Sequence, residues 1–535
     1  MRGDSIERRE FLRLAAVLGV TAAAAGCTRQ SPKPATTGST PPSASSPPSP
    51  SSPPPSTPPA GPRDLAGLRK ALGDKLILPA DNRYPAASQL FDPRFDAIHP
   101  DAVAKCTSPD DVAACLEFAK ASGTGFAVKA GGHSYAGYST SSGLVVDVGA
   151  MNTVTPGTTA ATARIGAGAR LADIYAKLAA QNSSIPAGSC PTVGVAGLAL
   201  GGGIGVVGRK YGLTCDRLTA IELVTADGKH TRCDDNHDPD LFWAQRGGGG
   251  GNFGVVTALE FATHRTQPLS YFLLRWDWAR AADVVAAWQS WLPTTPDELW
   301  SSLHLDGAAS SATTPKATPK IYVTGVYVGA LAALQKLIDE LQGAAKAPMS
   351  SRFANQADYL RTMMIEGGCA DLTLAQCRPQ AEGGALRRGE QLARSDYIAS
   401  ALTSSGIEVV LDGIEARQRA GLAGGSVLFD AYGGAINRVK PTDTAFAHRD
   451  QLACLQYVAP IFDASTTQAN QAWLDGLYAK MRGHVSGHAY QNYIDPQLAD
   501  WQHAYYGVNL DRLIGVKMAY DPDDLFRFAQ SIPTR

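Results

Sequence analysis

Seven glycines crowd into the eighteen residues Gly188-Ser-Cys-Pro-Thr-Val-Gly-Val-Ala-Gly-Leu-Ala-Leu-Gly-Gly-Gly-Ile-Gly205. Glycine loses more backbone entropy on ordering than any other residue, so few packed cores accept such a stretch. Something must lie against that main chain. Gly247 to Gly251 is a second cluster, five glycines in a row, and Lys129-Ala-Gly-Gly-His-Ser-Tyr135 is a third. In the third, successive amides after a strand end can form a nest for an anion such as phosphate.

One literal motif competes for the longest cluster. Gly203-Ile-Gly205-Val-Val-Gly208 is a GxGxxG, with Asp227 further along at a strand end, as a nicotinamide site would require. Its context argues against it: the supposed preceding strand, Val193 to Leu200, is broken by glycine, and the supposed helix contains Gly208 and Gly212. The surrounding pattern is nevertheless one of alternating strands and helices. Ser108-Pro-Asp-Asp111 is a helix start, and a helix is expected from 109 to about 121. Phe126-Ala-Val, Leu144 to Val148, Ala163 to Ala167, Ile221 to Thr225 and Gly254 to Thr263 read as strands, with Leu171, Ile174, Tyr175 and Leu178 on one face of a helix. From about 270 to 480 the texture changes to strands such as Tyr271 to Trp276 and Ile321 to Val326, between helices containing Trp288 and Trp291 or Leu331 to Leu341. This is a second domain.

The beginning of the chain does not belong to the fold. Arg8-Arg9 precede Phe11-Leu12 and a short apolar stretch that ends at Gly26-Cys27, the pattern of a twin-arginine export signal. Cys27 then sits where a lipoprotein thiol would be acylated, giving a lipid anchor; the alternative is a simple cleaved signal in which Cys27 is lost. Residues 31–62 hold 13 of the 34 prolines, amid Ser and Thr, and form a spacer rather than a core. Export of an already folded protein is a first hint of a cofactor loaded beforehand. The 48 Lys+Arg balance 49 Asp+Glu, which argues against a nucleic-acid partner.

The segments GGHS at Gly131 to Ser134, CPTVG through GGGIG at Cys190 to Gly205, RGGGGGNFG at Arg246 to Gly254 and YQNY at Tyr490 to Tyr493 stand in this order. Together they resemble the berberine bridge enzyme-like branch of the flavin-linked oxidases that share the vanillyl-alcohol oxidase fold, over roughly residues 80 to 535. The resemblance implies an α+β fold: a discontinuous, two-subdomain PCMH-type FAD-binding domain plus an α/β substrate domain with a large antiparallel sheet. The boundaries expected are 63–268 and 481–535 for the flavin domain and 269–480 for the substrate domain.

It also implies where the cofactor sits. His133 would bond the flavin 8α-methyl and Cys190 the flavin C6, two tethers that remove orientational entropy from the reaction step. Ala130, Gly131, Gly132, Ser134 and Tyr135 would border the pyrophosphate, with Lys129 as a nearby cation where many relatives have Arg. Gly194, Val195, Gly197, Leu200, Gly201, Gly202, Gly203 and Gly205 would border the ring and adenine side. Gly254, Val255 and Val256 would pair with the nucleotide, and Tyr490 and Asn492 would close the site. Oxidation of a carbinol needs a base for the hydroxyl proton. The resemblance points to Tyr493, with Tyr490 as second candidate, and to Asp430 in Leu428-Phe-Asp-Ala-Tyr-Gly-Gly434 as the group that takes the proton onward. A free Tyr has a pKa of about 10, so it must be assisted. Leu428 stands where sugar-oxidising relatives can carry a polar side chain, and Val195 matches a position associated with dioxygen reactivity.

Setting aside Cys27 and Cys190 leaves seven cysteines, of which Cys369 and Cys377, eight apart in a loop flanked by Gly and Pro, are the preferred disulfide. The odd number leaves at least one thiol. The expectation is an exported, monomeric FAD-dependent oxidase that passes hydride from a small organic donor to flavin and electrons to O2, with no metal and no nucleic acid. A flavin dehydrogenase poorly reactive with O2 and a wall-anchored binding protein without turnover are the alternatives.

Overall fold

The computed structural model describes residues 65–158, 161–308 and 317–535. The expected export signal, Cys27 and the Pro/Ser spacer lie outside the described residues.

The first sheet contains β1 (Leu76–Ile77), β2 (Ala102–Lys105), β3 (Phe126–Lys129) and β4 (Leu144–Asp147) in the order β1-β2-β4-β3. Strands β2, β4 and β3 are parallel, so the chain between β2 and β3 must cross over. The helix Pro109–Ser122 makes that crossing. Ser108 Oγ accepts from the Asp111 amide, the Asp111 carboxylate accepts from the Ser108 amide at 3.2 Å, and Pro109 presets the first turn. Gly123, at φ +65°, ends it. The consequence is positional: β3 delivers Ala130-Gly-Gly-His133 to the carboxyl edge of a parallel sheet, where open α/β sheets leave a crevice.

The second sheet, antiparallel, consists of β5 (Val154–Pro156), β6 (Thr162–Gly166), β8 (Leu218–Val224), β9 (His230–Cys233) and β10 (Val255–Ala262) in the order β5-β6-β10-β8-β9. A short pair, β7 (Ser183–Ser184) with β11 (His264–Arg265), lies beside it. The helix Leu171–Ala179 buries Leu171, Ile174, Tyr175 and Leu178, the stripe its sequence period requires.

Strands β12 (Leu269–Trp276), β13 (Leu299–Asp306), β14 (Lys320–Tyr327), β15 (Ser351–Ala357), β16 (Gln391–Ile398), β17 (Ser426–Ala431) and β18 (Ala453–Pro460) form one antiparallel sheet, ordered β15-β12-β14-β13-β17-β18-β16. Its register places like-facing side chains in rows. Thr324, Ser302, Asp430, Cys454 and Tyr397 are successive partners across five strands, and Tyr322, His304, Leu428, Gln456 and Ser395 form the next row. Side chains alternate along a strand, so the intervening Leu303, Leu305, Val427 and Phe429 face the other way and are fully buried. Trp288, on the helix Ala281–Trp291, meets Phe429 edge-on at 6.2 Å on that buried side. The apolar half of each strand thus holds the sheet to its helices, and the polar half is left for the opposite side.

After the helix Thr467–Met481 the chain returns to the first two sheets. Lys517, completely buried, donates to the Asn252 carbonyl at 3.0 Å and to the Phe526 carbonyl at 2.6 Å while pairing with Asp521 at 2.7 Å. A buried ammonium is tolerable only when its donors are filled in this way. Ile532 N donates to Asn252 Oδ1 at 2.9 Å and Tyr506 donates to the Gly248 carbonyl at 3.2 Å. The tail therefore grips the run of five glycines.

A second tie runs from the substrate side. Cys369 and Cys377 form the expected disulfide, with Cα atoms 5.8 Å apart, and the loop beyond it spreads ionic contacts onto the flavin side. Arg378 pairs with Asp173 at 2.6 Å, Glu382 with Arg170 at 2.6 Å, and Arg388 with Asp96 at 2.8 Å. Cys106, Cys115, Cys215, Cys233 and Cys454 are buried thiols.

Candidate active site

A cavity of about 830 Å³ runs between the first two sheets and the polar face of the third. Its position follows from one close approach. A Cβ on Gly131 would lie 2.2 Å from Gly194 N, and one on Gly194 would lie 2.5 Å from Gly131 N. Only two glycines let these loops touch backbone to backbone, and the contact brings His133 and Cys190 to the same place. Thr192 joins them: its hydroxyl is 2.9 Å from His133 Nε2 and 3.7 Å from Cys190 Sγ. The His133 ring stacks on Phe91 at 4.3 Å. Burial, with repulsion from Arg170, lowers its pKa to about 3, so the imidazole is neutral and keeps a nitrogen lone pair at physiological pH.

From this point the cavity wall continues along Ala130, Gly131, Gly132 and Ser134, then Gly194, Gly197, Leu200 and Gly205, then Gly254 and Val256. These main-chain-rich surfaces, convergent on a neutral His and a Cys, fit an extended planar cofactor with a phosphate arm. Several expected contacts do not hold. Lys129 turns inward, donating to the Ala87 carbonyl and pairing with Asp147 at 3.2 Å, because β3 and β4 put the two residues opposite each other. It serves the sheet rather than an anion in the cavity.

Gly201, Gly202 and Gly203 also lie off the cavity wall. Added Cβ atoms would meet Asn492 Oδ1 at 2.0 Å, the Phe446 ring at 2.7 Å and Thr214 Oγ1 at 2.2 Å, respectively. What lies against that backbone is the protein itself. Val195 is sealed at 0% exposure at the start of the helix Val195–Leu200, and the nearby valine that reaches the cavity is Val193. Val255 points away from the cavity while Val256 lines it. The nicotinamide alternative fails as well: a helix, not a strand, precedes Gly203, and the helix after it is the four residues Gly208–Tyr211. Asp227 accepts from Thr225 Oγ1 at 2.7 Å within its own turn.

The opposite wall is the polar face of the third sheet, contributed by Trp300, Ser302 and His304 of β13, Thr324 of β14, Leu428 and Asp430 of β17 and Gln456 of β18. Tyr493, in the turn Gln491–Tyr493, projects over it. Its ring stacks on Tyr135 at 5.6 Å and lies edge-on to Tyr490 at 4.9 Å. Tyr135 accepts from Gln456 Nε2 at 3.0 Å, which places it on the substrate side of the cavity. Burial pushes the Tyr493 phenol well above 10, and the neighbouring Asp430 carboxylate raises it further. Burial also raises Asp430, to about 6, offset in part by the Ser302 hydroxyl opposite it. A carboxylate poised there ionises just below neutrality and is a competent proton acceptor.

Tyr490 has a different use. Its hydroxyl receives the Gly203 amide at 2.9 Å, the Ile204 amide at 3.3 Å and Asn492 Nδ2 at 2.8 Å. Asn492 Nδ2 also donates to the Leu198 carbonyl at 3.0 Å. These two residues pin the glycine-rich turn, while Tyr490 and Tyr493 both line the cavity. Gln456, Trp300, Ser302, His304 and Glu366 are cavity residues that the motifs did not single out. A signal for some was present: in Leu299-Trp-Ser-Ser-Leu-His-Leu-Asp306 polar residues alternate with leucines. Glu366, at the end of the helix Tyr359–Glu366, is raised to about 7 by burial.

Comparison with known proteins bears on this geometry. Residues 100–234 match the family described as FAD binding domain, and residues 489–533 match that described as berberine and berberine like. The chain is 34% identical over 442 residues to the uncharacterized FAD-linked oxidoreductase YgaK of Bacillus subtilis, covering 81% of this chain and 91% of that protein. It is 29% identical to a chitooligosaccharide oxidase of Gibberella zeae, over 81% of this chain and 87% of that one. Among solved structures, BBE-like 1 of Physcomitrella patens superposes with a TM-score of 0.79 at 30% identity, over 88% of this chain and 99% of that chain.

Proposed function

Because the chain belongs to the berberine bridge enzyme-like FAD-linked oxidoreductases, we propose that it is an oxidase whose flavin is bonded to both His133 and Cys190 and whose donor is a small CH–OH compound. The observation that carries this reading is the Thr192 hydroxyl in contact with both the His133 ring and the Cys190 sulfur, at the edge of a cavity that Tyr493 and Asp430 also line. A neutral imidazole and a sulfur held on one hydroxyl suit two bonds to one ring.

The chemistry the bound flavin supplies is acceptance of a hydride at N5 and its return, as two electrons, to dioxygen with release of hydrogen peroxide. The rest falls to the protein. The neutral Tyr493 phenol passes its own proton to the Asp430 carboxylate as it takes the hydroxyl proton of the donor, so the proton lost by the donor is balanced by the one gained by Asp430. Nearby negative charge raises a phenol's pKa, so Asp430 acts as the proton's destination and not as an acidifier of Tyr493. Tyr135, fixed by Gln456, supports the Tyr493 ring in its stacked pose. Val195, on which the expectation of oxygen reactivity rested, is sealed from the cavity, so the oxidase reading is supported by the oxidases among the relatives. The twin-arginine pattern and the proline-rich spacer support export of the folded, flavin-loaded protein, free or anchored through Cys27.

The test is intact mass of the mature protein together with its visible spectrum after acid denaturation. Added flavin mass and colour that stays with the polypeptide are expected; colour that washes away overturns the double tether. Peroxide release during a screen of alcohols and sugars then tests the oxidase assignment.

A further inference from the structure

Glu366 is a carboxyl that the proposed proton path does not use. It ends the helix Tyr359–Glu366, and its side chain enters the substrate end of the cavity. The next residue fixes the place: a Cβ on Gly367 would lie 2.7 Å from the Ser189 carbonyl oxygen and 3.2 Å from Pro191 Cδ, so the helix end abuts the segment that carries Cys190. Three features make a negative charge there uncomfortable. The carboxyl is half-buried on the cavity wall, where burial raises its pKa to about 7, and among the described residues no Lys or Arg forms an ion pair with it. It sits at the carboxyl end of a helix, where main-chain carbonyls already point. The cations that line the cavity, Lys120 and Arg527, belong to the helix Pro109–Ser122 and the C-terminal tail. The neighbouring charged and titratable groups do not change this: Tyr271 of β12 is a phenol, and Arg361, one turn earlier on the same helix, is directed to the Ala370 carbonyl.

A carboxyl without a cationic protein partner either stays neutral or ionises against a cation that the ligand brings, and the second state gains a charge-assisted hydrogen bond. We propose that Glu366 is a specificity-determining residue that anchors a protonated amino group of the donor, so that the preferred substrates are cationic amino alcohols, amino sugars included. This rests on the reading of the cavity as a donor-oxidising site. It also predicts exclusion of anionic donors, which an ionised Glu366 would repel.

The experiment compares matched donors that differ in charge: the benzyl alcohols bearing aminomethyl, methyl or carboxylate groups at the para position. Anaerobic bleaching of the flavin gives kcat/KM at about pH 8, where Glu366 is ionised. The expected order is cation over neutral over anion, the first step being roughly ten- to hundredfold, as a charge-assisted bond supplies. In Glu366→Gln the cation-to-neutral ratio should fall to near one. Equal rates for cationic and neutral donors in the wild-type protein would overturn the assignment while leaving the oxidase reading intact, and so would a ratio unchanged in Glu366→Gln. Bleaching by none of the donors, with no perturbation of the flavin spectrum by the cationic ones, would count against both.

Discussion

The two walls of the cavity are built on different terms. The flavin-side wall is main chain: Gly131 lies against Gly194, and the loops carry their reactive atoms to Thr192 because nothing larger than hydrogen fits between them. The substrate-side wall is side chain, with rows across β13, β17 and β18 whose backbone would accept many other residues. The first wall is intolerant of substitution and defines what is bound; the second is permissive and defines what is done to the donor. Substitutions should therefore separate loss of the tethered cofactor from loss of turnover.

The largest effect is expected at Tyr493→Phe. It should lower the rate of flavin reduction by about 10³-fold, in the range general-base groups supply. The covalent colour should be unchanged, since the phenol hydroxyl makes no bond to the flavin-side wall. A Tyr493→Phe protein that lost its colour would break the separation. Asp430→Asn comes next, with a loss of about 10²-fold in reduction rate. Wild-type turnover should rise with pH as Asp430 ionises around 6, because only the ionised carboxylate can accept a proton, and the variant should lack that rise. A pH–rate profile of reduction decides it.

Gly131→Ala should do the reverse. With the new methyl 2.2 Å from Gly194 N, the loops must part, at a cost of about 3 kcal/mol. The expected readouts are a lowered Tm and incomplete flavin attachment, the latter by intact mass. Thr192→Val is the mildest change: removing the shared hydroxyl should slow attachment at His133 and Cys190 and cost about 1 kcal/mol of stability. The time course of covalent incorporation would show it.

The same asymmetry explains how far the sequence could be read. The glycine clusters, His133 and Cys190 stand out because a backbone-built wall leaves a compositional mark, and the capped helix at Ser108 and the disulfide of Cys369 with Cys377 are local features. The failures were cases where a local signal had a distant cause. Gly201 to Gly203 are small because Asn492, Phe446 and Thr214 press on them, two of the three from more than two hundred residues away. Lys129 beside a phosphate-like nest is a strand residue paired across the sheet with Asp147. Trp300, Ser302, His304 and Gln456 needed the register of four strands before they could be seen as neighbours, and no motif records a register.

The hydroxyl of Tyr490 has a bearing on biosynthesis. The amides of Gly203 and Ile204 find their acceptor 287 and 286 positions later in the chain, and Asn252 is clasped by Lys517 and Ile532, 265 and 280 positions later. A nascent polypeptide halted anywhere before Tyr490 holds an unfinished cradle, however well its earlier half has folded. Flavin capture should accordingly need the segment that carries Tyr490, and protein fragments that end before it should emerge colourless.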